Sequence, residues 1–424
     1  MRRPHTASRG LILAATLLAA ALGVSRLSVP ASGQAPAGVT VFEGARLIVG
    51  DGRAPIENAT LVVNGTRFTR VGRSGDVRTP AGATRVSLAG KTVMPSIIDT
   101  HTHLSREREA LVNDLKRRAY WGVGAAMSLG QDTGDLPFQV RGEVIPNGAR
   151  FRTAGRGMTA PEPGRSDIPY WITSEAEARK AVQEQAALKV DIIKIWVDDR
   201  DGKFKKLTPA VYGAVIDEAH KQGLRATAHL FTLEDAKGLL RAGLDAFAHG
   251  VRDRDIDDEF VRMIKARSDI ILVPNLPDRG VATDLSFLSG FVTAEELTKL
   301  QAGVAKDRPE AQTAFGIQAR NLARLTKEGV KIALGSDGNT PWGPHLEMAD
   351  MVAAGMTPSQ VIVAATRNSA ELMRLSDMGT VEAGKSADFV VLDANPLDDI
   401  ANTRRIAAVY LRGTEVNRAT LTVR

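Results

Sequence analysis

Cysteine is absent from all 424 residues, and that absence excludes disulfides, thiolate metal ligands and lipid attachment at cysteine together. An exported form must therefore be stabilised by its core alone. Histidine is scarce, with seven in the chain, so those standing at strand ends carry information. Long apolar runs are lacking except for Leu11 to Val24, which is uncharged and follows Arg2, Arg3 and Arg9. That run is shorter than the roughly 20 residues a membrane-spanning helix needs. Gly33 and Ala35 stand after it as in a small-x-small cleavage site, so residues 1–35 read as a secretory signal peptide, with an uncleaved anchor as the alternative. The segment holds Arg2, Arg3, Arg9 and Arg26 and no acid, so taking four from the formal net charge of +6 leaves +2. Nothing in that balance argues for nucleic-acid binding or for stable membrane association after cleavage.

What remains has 43% hydrophobic and 25% charged residues, which suits a soluble globular chain and excludes disorder or a multi-span membrane protein. Residues 36–93 are short β-type runs broken by glycine turns, with Asn64-Gly65 as a hairpin signal, and residues 378–424 return to the same idiom. The two ends together predict one small β-sandwich. Residues 94–377 alternate apolar runs with helical segments. Eight strands are expected, starting at Val93, Gly122, Ala149, Val190, Leu224, Asp245, Asp269 and Val330, the first running to Thr100. One intervening helix is clearly bounded, with Thr208 as cap, Pro209 at its first position and Gly223 beyond its end. This α/β pattern predicts a (β/α)8 TIM barrel. The stretch from Leu276 to about Asp307 has no place in that scheme and reads as an excursion over the site.

Four histidines fall at or just beyond strand ends: His101, His103, His229 and His249. In a barrel that edge is where catalytic side chains collect, and neutral imidazole is a common nitrogen donor to zinc. His101 and His103 stand two apart on extended backbone and share one side of it. Lys194 interrupts the apolar run VDIIKIWV, where an unpaired ammonium is costly. Three fates are open to it: a buried ion pair, a Schiff-base lysine, or a lysine carboxylated by CO₂ into an anionic ligand. Asp337, also at a strand end, reads either as metal ligand and proton acceptor or as a helix cap.

These residues sit in segments that resemble the amidohydrolase superfamily: VMPSIIDTHTHL, DIIKIW, ATAHLFTLEDAKGLLRAGLDAFAHG, ALGSDG and the closing GTVEAGKSADFVVLDANPL. The resemblance is to the binuclear, carboxylated-lysine branch that includes prolidase-like and imidazolonepropionase-related enzymes. It implies two divalent ions, zinc by default. His101, His103 and Asp337 would hold the more buried ion and His229 and His249 the more exposed one, bridged by carboxylated Lys194. Many relatives have a tyrosine shortly after the fifth-strand histidine, where this chain has Leu230 and Phe231.

Such a site suits hydrolysis of a small amide or dipeptide-like substrate, with Asp337 as general acid and base acting on a metal-bridging hydroxide. Esters and lactones are the alternative on the same chemistry. A metal-free lyase using Lys194, and a non-catalytic metal-binding protein, are the other readings. Tyr120, Ser128, Trp196, Phe231, Arg252, Asn339 and Trp342 are candidate pocket residues, with Arg252 the candidate holder of a substrate carboxylate. His345 stands within reach of the pocket, as a neighbour of the ligands or a helix cap. His220 reads as solvated and His5 lies in the leader. A small molecule is the expected partner, with a homo-oligomer left open.

Overall fold

The computed structural model describes residues 38–421. The expected signal peptide lies outside them. The chain opens with β1 (Val39–Leu47), β2 (Ile56–Asn64), β3 (Arg67–Arg73), β4 (Thr84–Ser87) and β5 (Thr92–Pro95). There follow ten strands: β6 (Ile97–Thr102), β7 (Val123–Ser128), β8 (Arg150–Thr153), β9 (Met158–Thr159), β10 (Tyr170–Trp171), β11 (Ile193–Val197), β12 (Ala226–Leu230), β13 (Ala246–Phe247), β14 (Ile271–Leu272) and β15 (Lys331–Ile332). The chain then returns to the first sheet with β16 (Phe389–Leu392), β17 (Ile406–Leu411) and β18 (Thr414–Glu415).

Strands from both ends of the sequence make one eight-stranded sheet, ordered β18-β17-β16-β5-β1-β2-β3 with β4 on β1. The sheet bends far enough for Phe68 on β3 to pack on Phe389 of β16, their rings 5.6 Å apart. Phe42 and Tyr410 complete that aromatic core.

The other strands are parallel, in sheets β6-β7-β8 and β10-β9-β11-β12-β13-β14-β15. Every residue of β6, β7, β11 and β12 is buried, as expected of parallel strands covered on both faces. The two sheets touch where β8 meets the start of β11 and where β6 meets the end of β15. Asp191 N–H donates to Thr153 O at 2.9 Å on one side, and Thr100 N–H donates to Leu334 O at 2.9 Å on the other. Helices cross between strands, and their starts are set by side-chain caps: Ser174 in a capping box with Glu177, then Thr208, Thr232 and Asp257. Each such cap contributes about 1 kcal/mol.

All eight expected strand positions are occupied, and two differences have physical causes. The single strand expected from Val93 to Thr100 is two, divided at Ser96: β5 pairs antiparallel with β16, and β6 turns into the parallel sheet. An unbroken apolar run carries no mark of where it changes sheets. The excursion after Leu276 forms a helix, Ala294–Gly303. Its buried Phe291 packs on Tyr120, Trp121 and Trp342, with centroids 4.6, 5.3 and 5.9 Å away. Of that stretch, Leu276 and Pro277 line the cavity beside Asp337.

Candidate metal centre

The end of β6 is fixed by a buried carboxylate. Asp99 Oδ2 accepts from Arg118 Nη1 at 2.9 Å and from Ser336 Oγ at 2.6 Å, while Oδ1 accepts from Ser336 N–H at 3.0 Å. Arg118 Nη2 also donates to Gly338 O at 3.0 Å. Both charges are fully buried. Burial pushes the Asp99 carboxyl up, with Arg118 opposing. The network clamps the segment after β15 against β6 and holds Asp337 between Ser336 and Gly338 with φ +49°. Gly335 permits that approach, because a Cβ there would stand 2.7 Å from His101 Cβ and 2.6 Å from Val273 Cγ1.

Three histidines turn Nε2 toward the Asp337 carboxylate: His103 at 3.1 Å, His101 at 3.2 Å and His249 at 3.5 Å. Ligand atoms of His101, His249 and Asp337 lie within 4.8 Å of one another, a spacing that can hold a metal ion. Burial, reinforced by nearby Lys194 for His101 and by Arg252 for His249, holds both imidazoles well below their ordinary pKa, so they stand neutral as ligands must. Burial would raise Asp337, but the hydrogen bond from His103 and the charge of nearby Lys194 oppose it and the carboxyl stays below its ordinary range. His101 Nδ1 meets Asn275 Oδ1 at 2.8 Å, which fixes the ring.

Lys194 is 1% exposed and its Nζ has no hydrogen-bond partner among the described residues. Burial pushes the ammonium down to about 7, against the pull of Asp337. Of the three fates open to it, the buried ion pair is not formed among the described residues. A substantial fraction of the amine is then neutral at pH 7, the form that CO₂ can carboxylate. His229 completes the ring of imidazoles, 4.6 Å from His249 between centroids. Its Nε2 is engaged by Asp198 at 2.8 Å, and burial lowers its pKa to about 4.

The candidate pocket residues divide. Phe231 and Arg252 line a cavity of about 380 Å³ with Asn275, Gln318, Ser336 and Asp337. Arg252 Nε is buried with no partner among the described residues, while the neighbouring Asp253 and Asp255 pair with Arg254 and Arg320. Trp196 stands beside Lys194, its ring 5.3 Å from Nζ. Ser128 is buried and donates to Asp132 at 2.9 Å. Four others lie elsewhere. Tyr120 ends the helix Arg108–Tyr120, on the side where the chain enters β7, and stacks on Phe291. Trp342 packs edge-on against the same Phe291. Asn339 donates to Asp114 at 2.8 Å on the surface. His345 is neither ligand nor pocket residue: Thr403 Oγ1 at 3.0 Å and Trp121 O at 2.9 Å occupy its ring nitrogens. His220, partly exposed, is paired with Asp245 at 2.9 Å.

Sequence reasoning missed Asp99, Asn275, Asp198 and Gln318. Asp99 alone carried a signal, as the acid two places before His101. Gln318, 6% exposed, leaves its Oε1 unpartnered at the cavity.

Converging histidines and one carboxylate at the ends of parallel strands make a candidate metal-binding site. Residues 92–416 match the amidohydrolase family, so the chain belongs to that family and is a hydrolase acting on carbon–nitrogen bonds. An imidazolonepropionase from Deinococcus radiodurans is 25% identical over 397 residues, covering 85% of this chain and 92% of the relative. Ochratoxinase from Aspergillus niger is 26% identical over 424 aligned positions, covering 85% and 82%. A solved structure described as a putative prolidase from Bifidobacterium longum superposes with a TM-score of 0.74 at 27% identity, covering 90% of this chain and 95% of that one.

Proposed function

We propose that this chain is an exported enzyme hydrolysing a small amide or dipeptide-like substrate. Two divalent ions, zinc in the first instance, would be held by His101, His103, His229, His249 and Asp337 and bridged by CO₂-modified Lys194. The observation that carries this reading is the convergence of His101, His103 and His249 on the Asp337 carboxylate, with the orphaned Lys194 Nζ close enough to feel that charge. We further infer that the two parallel sheets are one closed (β/α)8 barrel, a reading supported by the hydrogen bonds that join β8 to the start of β11 and β6 to the end of β15. Residues 36–93 and 378–424 would then form the accompanying sandwich.

When bound, the ions supply a water acidic enough to attack at neutral pH and an electrophile for the substrate carbonyl. Asp337, ionised and 36% exposed, is placed to take a proton from the attacking water and pass it to the leaving nitrogen. Arg252 would hold a substrate carboxylate, and Gln318 would bind a polar group beside it. Phe231, Leu276, Pro277 and Ala314 offer an apolar wall to the rest of the molecule.

The test is a hydrolysis screen of N-acyl amino acids, dipeptides and lactones, with metal content measured on the same preparation. Amide turnover that is lost on chelation is expected. Turnover confined to esters or lactones would overturn the proposal.

A further inference from the structure

His229 differs from the other candidate ligands in the way its ring is held. Three imidazoles present Nε2 to Asp337, whereas His229 commits Nε2 to Asp198 Oδ2 at 2.8 Å. Asp198 follows directly on β11, which pairs in register with β12 so that Trp196 stands opposite His229. A short chain of charges locks that carboxylate. Arg200 Nη1 donates to the same Oδ2 at 2.6 Å, and Arg200 N–H donates to Oδ1 at 2.9 Å. Arg200 Nε donates in turn to Glu162 Oε1 at 2.9 Å. Glu162 is 3% exposed and its other oxygen is paired with Arg165. The 3.1 Å separation of Arg200 Nη1 and His229 Nε2 follows from two donors meeting one oxygen.

We infer that Asp198, braced by Arg200 and Glu162, is a positioning residue that fixes His229 with its proton on Nε2 and so reserves Nδ1 as the metal-ligating atom. The inference rests on the two-ion reading above. A carboxylate acceptor at Nε2 makes that nitrogen the N–H, and a neutral imidazole then has its free lone pair on the other nitrogen. The same acceptor orients the ring and increases its basicity as a ligand. The bracing supplies the reason why Asp198 holds still: both of its oxygens are bonded to Arg200, and Arg200 is bonded to a buried acid. His101 uses the opposite arrangement, with Nδ1 on the neutral Asn275. His101 and His229 are thereby held as opposite tautomers.

The test compares the full-length protein with Asp198→Ala and Asp198→Asn, the latter keeping an oxygen acceptor without the charge. Zn²⁺ affinity and stoichiometry are read by competition with a chromophoric chelator. Histidine tautomers are read by ¹⁵N NMR on metal-stripped protein, with His229→Gln identifying the resonance. The wild type is expected to bind two ions and to show His229 as the Nε2–H form. In Asp198→Ala one ion should weaken about 10- to 100-fold while the other keeps its affinity, and Asp198→Asn should recover part of the loss. Two ions bound with unchanged affinity in Asp198→Ala, or an Nδ1–H form of His229 in the wild type, would overturn the role of Asp198. A wild type that takes up fewer than two ions would instead overturn the two-ion reading.

Discussion

Arg118 and Asp99 form an ion pair at 2.9 Å with both side chains fully buried, and through Ser336 the pair sets the backbone that carries Asp337. Removing one partner leaves an uncompensated charge in the interior. Arg118→Met is therefore expected to cost about 3–5 kcal/mol, read by chemical denaturation, and the double variant Arg118→Met with Asp99→Leu should recover part of it. Full stability in the single variant would show that water reaches Asp99.

Lys194 Nζ has no partner among the described residues, so its removal should leave the fold intact and take the activity. Lys194→Met is expected to keep the wild-type melting temperature within a few degrees and to lose at least about a thousandfold in kcat, a loss of roughly 4 kcal/mol in transition-state stabilisation. Stripped wild-type protein should regain activity with Zn²⁺ and bicarbonate together, and poorly with Zn²⁺ in CO₂-free buffer. Equal recovery in both would rule out a carboxylated lysine.

Arg252 lines the cavity and pairs with no acid of the loop around it. Arg252→Met should raise KM for substrates with a free carboxylate about a hundredfold, or roughly 3 kcal/mol, and leave their carboxamide counterparts nearly unchanged. A loss of kcat shared by both would place Arg252 at the reacting carbonyl instead.

Asp350 offers a pH test away from the candidate ligands. Burial pushes its carboxyl up to about 6, with Arg279 opposing. A carboxyl raised on folding binds more protons in the native state, so its contribution is fully present below about 3.8 and is lost as pH rises toward 6. Asp350→Asn should therefore gain stability relative to the wild type across that window, by about 3 kcal/mol at most. A difference independent of pH would refute the assignment.

Much of the site was legible because buried parallel strands read as apolar runs, and a polar residue that closes such a run stands out. His101, His229 and His249 are of this kind. Their supports were not legible, since Asn275 meets His101 across 174 positions of sequence and Asp198 meets His229 across 31. Tyr120, Trp342 and His345 were misplaced for a related reason. Their places along the chain suggested the pocket, but Phe291, from a stretch without periodic pattern, and Thr403, from near the terminal sheet, claim them.

One residue, Ser96, separates β5 from β6, and β5 is held by β16. During synthesis the pair His101 and His103 emerges early, yet the strand that clamps their neighbour is translated only near residue 389. The strand that leads into the pair lies on β1 along one edge and gains its second neighbour only once residues 389–392 have been made.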